Sequence, residues 1–235
     1  MRILAALLIS CLMCSSSYAE RLVVGTSPFA PPMESQATKD KVFTGFEIDL
    51  VNEVCRRINA TCDFEPMTFA NIMKAVAEGK VDLGIDGFFI TQERLNYFLF
   101  SQPYLQTKAQ LFTTVNSGVD VNGKRVAIEA GTVYKALLET TFDKVQVIEY
   151  SKQQDMLQDL ADQNVDFIMF DFISASYWVN SNPTVFKLVG PAIPFGLGYG
   201  IMANLNSGAL IARINSALND MQNDGTYLAI YSRYF

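Results

Sequence analysis

The hydrophobic pattern of this chain contains two similar units, each of which predicts a helix followed by a buried strand. In residues 68–79 apolar side chains recur at helical spacing, and residues 81–85 then form a short apolar run. The same order returns in residues 151–164, with helical spacing, and in residues 165–170, with an apolar run of strand length. This repetition indicates one α/β unit that is used twice.

Helices that alternate with short apolar strands predict an α/β fold of mainly parallel sheets flanked by helices. Ligands of such sheets bind beyond the carboxyl ends of the strands. Asp86 and Asp171 hold that position after their strands, and Gly87 lets the backbone come close to a ligand. These three residues are therefore candidates for a binding site.

Two further segments suit an anion. Arg94 follows Thr91, which can cap a short helix, and its planar guanidinium suits a carboxylate, although it could also be an ordinary surface arginine. Thr132 and its neighbouring glycine follow a predicted strand at Arg125–Ile128 and open a predicted helix. Backbone amides at such a start can bind an anion, or the segment is only a strand-to-helix turn.

Residues 1–19 predict a signal peptide. Arg2 supplies a positive charge, residues 3–13 are an apolar run too short to span a bilayer, and residues 17–19 form a small-x-small cleavage site. The expected product begins at Glu20 and is exported in soluble form to the periplasm.

Two of the four cysteines, Cys11 and Cys14, lie in the predicted leader, and Cys55 and Cys62 remain. Lipid attachment in the leader is the weaker alternative, because neither cysteine follows a convincing small-residue lipobox. An even count in an oxidising compartment predicts a disulfide between Cys55 and Cys62, at a spacing that suits a bridge from a helix to the next strand. Two buried free thiols are the other interpretation.

The chain is acidic. It has 18 basic and 24 acidic residues, a net charge of −6, and without the leader 17 basic against 24 acidic residues give −7. Such a surface argues against nucleic acid or an anionic membrane as a partner. The sequence contains no histidine, so neither a metal site nor a cofactor is expected. Its 235 residues can hold two modest domains or one large one.

An ordered set of short motifs carries a resemblance to a known family. The motifs lie at residues 25–28, 45–50, Cys55 and Cys62, 87–94, 131–132 and Asp171. With these motifs the chain resembles the periplasmic amino-acid-binding proteins, the receptors of ABC importers, and in particular the branch that binds arginine, lysine, ornithine and histidine. The resemblance implies a two-lobed, type II periplasmic-binding-protein fold that closes around its ligand.

The resemblance also implies a division into lobes. The first lobe is expected to comprise residues 20–107 and 200–235, and the second lobe residues 108–199. Two crossing segments, near residues 107–111 and 194–199, would form the hinge between them.

The resemblance assigns roles to the candidate residues. Arg94 would bind the α-carboxylate of an amino acid, together with backbone amides around Thr132 and Val133 and the Thr132 hydroxyl. Asp171 would bind the α-ammonium group, with help from the Gly87 carbonyl. The alternative for Asp171 is a helix cap, for which aspartate is a favoured residue.

The pocket for the ligand side chain departs from the family pattern. Phe69 matches an aromatic platform of the family and Phe29 lies near a second one, although both could be core residues. Ser27 stands where histidine- and lysine-binding members have an aspartate, and Ala30 replaces a neighbouring tyrosine. Phe89 stands where the family usually has a hydroxyl or a carboxylate. The usual group that binds a cationic side chain is therefore missing.

Asp86 is the expected replacement, with Glu34 and Glu47 as further candidates. If Asp86 faces the cleft, the ligand should be arginine, lysine or ornithine. If it points into the lobe instead, the pocket becomes apolar and an uncharged or aromatic amino acid is expected.

The sequence thus predicts a monomeric periplasmic receptor that captures a free L-amino acid and delivers it to an inner-membrane ABC permease. The main rival is an enzyme on the same scaffold, resembling the periplasmic cyclohexadienyl and arogenate dehydratases. The chain contains no histidine and no apparent pair of a nucleophile and a base, which disfavours an enzyme. A freestanding sensor is the third hypothesis.

Overall fold

The structure, a computed structural model, describes residues 19–106 and 108–235. The predicted leader up to residue 18 and Thr107 of the predicted first crossing lie outside the described residues. Within those two ranges, no helix has both the length and the apolar character that a membrane crossing requires.

Two five-stranded sheets and a small three-stranded sheet organise the described residues. The strands are β1 (Glu20–Thr26), β2 (Phe29–Ala30), β3 (Glu34–Gln36), β4 (Phe43–Thr44), β5 (Ala60–Pro66), β6 (Leu83–Gly84), β7 (Phe98–Phe100), β8 (Lys108–Thr114), β9 (Arg125–Glu129), β10 (Gln146–Tyr150), β11 (Phe167–Asp171), β12 (Phe186–Pro194) and β13 (Met202–Asn204). The helices are α1 (Phe46–Arg57), α2 (Phe69–Ala77), α3 (Tyr134–Thr141), α4 (Gln153–Ala161), α5 (Phe172–Ser181), α6 (Gly208–Asn223) and α7 (Thr226–Tyr231), with a 3₁₀ turn at Arg94–Asn96.

The two large sheets have the same construction. The first has the order β5-β1-β6-β13-β7, in which β1 pairs in parallel with β5 and β6, and β13 is antiparallel to both of its neighbours. The second has the order β10-β9-β11-β8-β12, in which β8 is the strand that runs against the others. The predicted α/β fold with mostly parallel sheets is therefore confirmed.

The chain passes twice between the sheets. It leaves the first sheet after β7 and enters the second at β8, and it returns after β12 to form β13. Leu105 and Tyr199, one from each passage, are bridged to one another. Residues 108–111 of the predicted first hinge segment already belong to β8. The lobe boundaries themselves remain a prediction.

The cores form where the predicted apolar faces meet the sheets. Helix α1 buries Phe46, Leu50 and Val54, and the C-terminal helices α6 and α7 pack against it. A disulfide joins Cys55 of α1 to Cys62 of β5, with 6.1 Å between the Cα atoms, so the predicted bridge is confirmed.

The strand predicted at residues 81–85 is shorter in the structure. Only Leu83 and Gly84 pair with β1 on one side and with β13 on the other. The chain therefore leaves the sheet early, and Asp86 and Gly87 lie in the turn beyond its carboxyl end.

Candidate functional site

A cavity lies between the carboxyl ends of the strands of the two large sheets, and we call it the central cavity. About 470 Å³ of atom-free space, including the solvent at its mouth, is enclosed there. Two parts of the chain form its lining. The part before β8 supplies Ala30, Met33, Glu34, Phe69, Asp86, Gly87, Phe89 and Arg94, and the part from β9 onward supplies Glu129, Thr132, Val133, Tyr134, Gln153, Phe170, Asp171, Ser174 and Tyr199.

Arg94 is a buried cation without a carboxylate partner among the described residues. Its Nη1 donates to the Phe89 carbonyl and its Nη2 to the Gly131 carbonyl, both at 3.1 Å, and the side chain is only 8% exposed. The Phe69 ring lies 5.4 Å from the guanidinium carbon. Burial lowers the pKa of Arg94 to about 10. An anionic ligand would relieve the cost of this unpaired charge.

Asp171 is both a helix cap and part of the cavity wall. Its Oδ1 accepts hydrogen bonds from the amides of Ile173 and Ser174, at 2.8 and 3.0 Å, and so begins α5. Both backbone bonds use the same oxygen, so the cap itself does not occupy Oδ2. Burial raises the pKa of Asp171, although donors from Ser174 and Tyr199 oppose that rise. The cap and the predicted ammonium site are therefore compatible.

Three carboxyl groups lie close together on the side of the central cavity formed by the part of the chain before β8. Glu34 comes from β3, Glu47 from α1 and Asp86 from the turn after β6, and all three side chains are buried. Glu47 accepts bonds from the Gly87 amide, at 3.0 Å, and from the Tyr104 hydroxyl. By contrast, both oxygens of Glu34 and Oδ2 of Asp86 have no hydrogen-bond partner.

Burial is the largest cause of the raised pKa values in this group of carboxyl groups. It raises the pKa of Glu47 to about 7, and it raises the pKa of Glu34 and of Asp86 well above the ordinary carboxyl range. The neighbouring negative charges add to the effect on Glu34 and on Asp86. None of the three carboxyl groups forms an ion pair with a basic side chain in the part of the chain that the structure describes.

Glu129 adds a further carboxylate on the opposite side. It ends β9, it is 4% exposed, and its Oε2 accepts a bond from Gln153 Nε2 at 3.0 Å. Burial raises the pKa of Glu129 to about 7. Sequence reasoning missed Glu129, although it holds the same strand-end position as Asp171 and could have been found by that rule.

Two tyrosines that the sequence did not identify as site residues also line the central cavity. Tyr134 begins α3, and Tyr199 comes from the return passage, with its ring 4.8 Å from that of Phe89. Gly87 has a φ of +55°, and a Cβ there would lie 3.1–3.3 Å from the Tyr199 ring and hydroxyl. Glycine at position 87 therefore allows the tyrosine to approach the backbone.

The turn before α3 uses part of its hydrogen-bonding capacity internally. The Thr132 hydroxyl and amide both donate to the Glu129 carbonyl, at 2.6 and 3.2 Å. Val133 immediately precedes α3. The first amides of a helix lack partners within the helix, so those that follow Thr132 can still face an anion.

The aromatic candidates divide between two places. Phe69 lines the central cavity and packs on Phe88, at 4.5 Å between ring centroids. Ser27 and Phe29 lie outside this lining and border an adjacent cavity instead. Phe29 begins β2 and packs on Trp178 at 5.8 Å, while the Ser27 hydroxyl accepts from the Phe29 amide. Their predicted contact with the ligand therefore has no support in this geometry.

Known proteins resemble the chain over nearly its full length. The family described as bacterial extracellular solute-binding proteins, family 3, matches residues 22–235. The ABC transporter arginine-binding protein 1 of Escherichia coli (strain K12) is 30% identical over 240 residues, which cover 99% of this chain and 98% of that protein.

Two solved structures are similar in fold. An arginine 3rd transport system periplasmic binding protein from Legionella pneumophila has a TM-score of 0.88 and 40% identity, and the match covers 92% of this chain and 100% of that one. An ancestral arginine-binding protein bound to arginine has a TM-score of 0.85 and 28% identity, over 93% of this chain and 99% of that one.

Proposed function

Because the chain belongs to the bacterial extracellular solute-binding proteins, family 3, we propose that it is a periplasmic receptor that binds arginine, or another basic L-amino acid, between its two lobes. The loaded, monomeric receptor delivers the amino acid to an inner-membrane ABC permease. Export by a cleaved signal peptide is part of the same proposal. The predicted role as a binding protein is confirmed at the level of the family, and no comparison supports the dehydratase alternative.

The charge pattern of the central cavity carries the choice of ligand. The lining contains one cation, Arg94, and four carboxyl groups: Glu34, Asp86, Glu129 and Asp171. A basic amino acid has one carboxylate and two cationic groups, so it complements such a lining. Closure removes water from these charges, and each of them then needs a partner.

Each pole of the ligand has a candidate partner. Arg94 binds the α-carboxylate with the amides near Thr132 and Val133, and Asp171 binds the α-ammonium group with the Gly87 carbonyl. Such contacts from both lobes stabilise the closed form, which signals the loaded state to the permease.

The ligand side chain then extends toward Asp86, along the walls formed by Phe69 and Phe89. Asp86 lines the central cavity, which favours a cationic ligand over an uncharged or aromatic one. The relatives named above are described as arginine-binding proteins, which supports arginine before lysine and ornithine.

A thermal screen of the twenty amino acids with ornithine and citrulline tests the proposal. At a ligand concentration of about 100 times Kd, binding adds about 2.7 kcal/mol to the free energy of unfolding. For a chain of this size that corresponds to a rise in Tm of about 5–10 °C. Arginine should give the largest rise. No shift with any amino acid would refute the receptor role, and a larger shift with uncharged amino acids would refute only the basic ligand.

A further inference from the structure

The Glu34 and Asp86 carboxyl groups differ from the other carboxyl groups of the central cavity. The other carboxyl groups of the cavity and its edge accept bonds that stabilise their charged forms, from Gln153 to Glu129 and from backbone amides to Glu47 and Asp171. Both oxygens of Glu34 and one oxygen of Asp86 have no donor, although Glu34 is 0% and Asp86 only 5% exposed.

The groups that face this pair come from every neighbouring element. The carboxyl groups are Glu47 on α1, Glu129 at the end of β9 and Asp171 at the end of β11, and the phenols are Tyr104, Tyr134 and Tyr199. The cation is Arg94, whose guanidinium donates to carbonyl groups. Arg94 therefore forms no ion pair with Glu34 or Asp86.

Two adjacent buried carboxylates without a cation cannot both be ionised at low cost. One of them keeps a proton, which lets it donate to the other. Burial and the neighbouring charges of Glu47 and Asp86 raise the pKa of Glu34, and burial raises that of Asp86, which is the direction expected for a pair that retains a proton. A guanidinium or ammonium group beside the pair would stabilise both carboxylates in their ionised form, so the pair would lose this proton.

We propose that Glu34, together with Asp86, selects the cationic end of the ligand side chain, and that the pair releases its proton to solvent when that cation enters. The inference rests on the proposed function, since it requires a basic ligand in the central cavity. It makes Glu34 a second determinant of specificity, and it makes the affinity for basic amino acids depend on pH.

The direction of the pH dependence follows from this exchange. Binding that releases one proton becomes about tenfold tighter for each rise of one pH unit, between the ordinary carboxyl pKa of the loaded pair and the raised pKa of the empty pair. Acidification through this range protonates the pair and weakens arginine binding.

Calorimetric titration with arginine at pH 7 tests the proposal, in buffers that differ in their enthalpy of ionisation. The slope of the observed heat against that enthalpy gives the number of protons exchanged. We expect about one proton released per arginine bound. Arginine binding with no proton release would overturn this inference and leave the proposed function standing. If no basic amino acid binds, both are overturned.

Matched variants identify the source of the proton. Glu34→Gln, which keeps the size of the side chain, should lower the proton count to less than half and flatten the pH dependence of arginine affinity. Asp86→Asn should do the same, and it provides a second variant if the first does not fold. Glu65→Gln, at an exposed position of β5, should keep the wild-type count.

Glu129→Gln separates the proposal from its nearest rival, because Glu129 also has a raised pKa. Its proton count should stay near that of the wild type. If the number of protons released per arginine falls in Glu129→Gln but not in Glu34→Gln or Asp86→Asn, the proton comes from Glu129. That result would overturn the proposal.

Discussion

Replacing Arg94 by methionine should separate ligand binding from stability. Methionine keeps much of the side-chain volume beside the rings of Phe69 and Phe88 but removes the charge. If Arg94 binds the α-carboxylate of every ligand, its loss leaves that carboxylate buried and unpaired.

The expected loss of affinity is large. Truncating one partner of a buried, hydrogen-bonded charge pair costs roughly 2–5 kcal/mol. This corresponds to a weakening of roughly 30-fold to several thousand-fold. The loss should be similar for arginine, lysine and ornithine, since the α-carboxylate is common to them.

The effect on the empty protein should be smaller. Burial lowers the pKa of Arg94 to about 10, which corresponds to roughly 3 kcal/mol against the charged form in the folded state. The variant removes this cost, but it also removes two hydrogen bonds from a charged group to carbonyls, each worth roughly 1.5–3 kcal/mol. These effects oppose each other, so the free energy of unfolding should fall by only about 0–3 kcal/mol.

Isothermal titration calorimetry and urea denaturation of the ligand-free protein measure the two quantities. Arg56→Met is the matched control, because Arg56 is an exposed residue of α1 that pairs with Glu53 on the surface. Its arginine affinity should equal that of the wild type. If Arg94→Met binds arginine within threefold of the wild type, Arg94 does not bind the carboxylate and the proposed orientation of the ligand is wrong.

Three further variants test other parts of the site. Asp171→Asn should keep the cap of α5 and lose most of the ligand affinity. Asp171→Ala should in addition lower the free energy of unfolding by about 1 kcal/mol, measured by urea denaturation. Equal ligand affinity of the wild type and Asp171→Asn would exclude Asp171 as the ammonium site. Gly87→Ala should weaken arginine binding and destabilise the fold more than Gly79→Ala, because both glycines have a positive φ but only position 87 has Tyr199 within 4 Å of a new Cβ; equal effects of the two variants would show that Tyr199 moves away freely. Cys55→Ser/Cys62→Ser should lower the free energy of unfolding by roughly 2–3 kcal/mol with little change in arginine affinity, and a chain that is equally stable under reducing and oxidising conditions would contradict this.

The elements of the fold could be predicted because their signals are local. Helical spacing around Ile72 and Met156 identified α2 and α4, and both predicted strands exist at the expected places. The structure starts α2 one residue after Thr68, which is its N-cap, and shortens β6 because its pairing with β13 spans only two residues. Such ends depend on neighbouring strands, so the apolar pattern alone could not locate them.

The candidate site was predictable where a residue type coincides with a strand end or with a family motif. Asp86 and Asp171 were found by the first rule and Arg94 by its guanidinium and the resemblance, and all three line the central cavity. Tyr199 gave no signal because it reaches the lining from the return passage. Phe29 was expected beside the ligand, but β2 places it against Trp178.

The sequence by itself determined the order of helices and strands, the disulfide pair and the residue types that can bind an amino acid. These features depend on spacing along the chain and on side-chain chemistry. The tertiary structure decided that Glu34 of β3 meets Asp86 beyond β6, and that both lie opposite Glu129 and Asp171. Contacts between residues so far apart in the chain depend on where the sheets and the turns beyond their strands lie in space, and no local pattern encodes that placement.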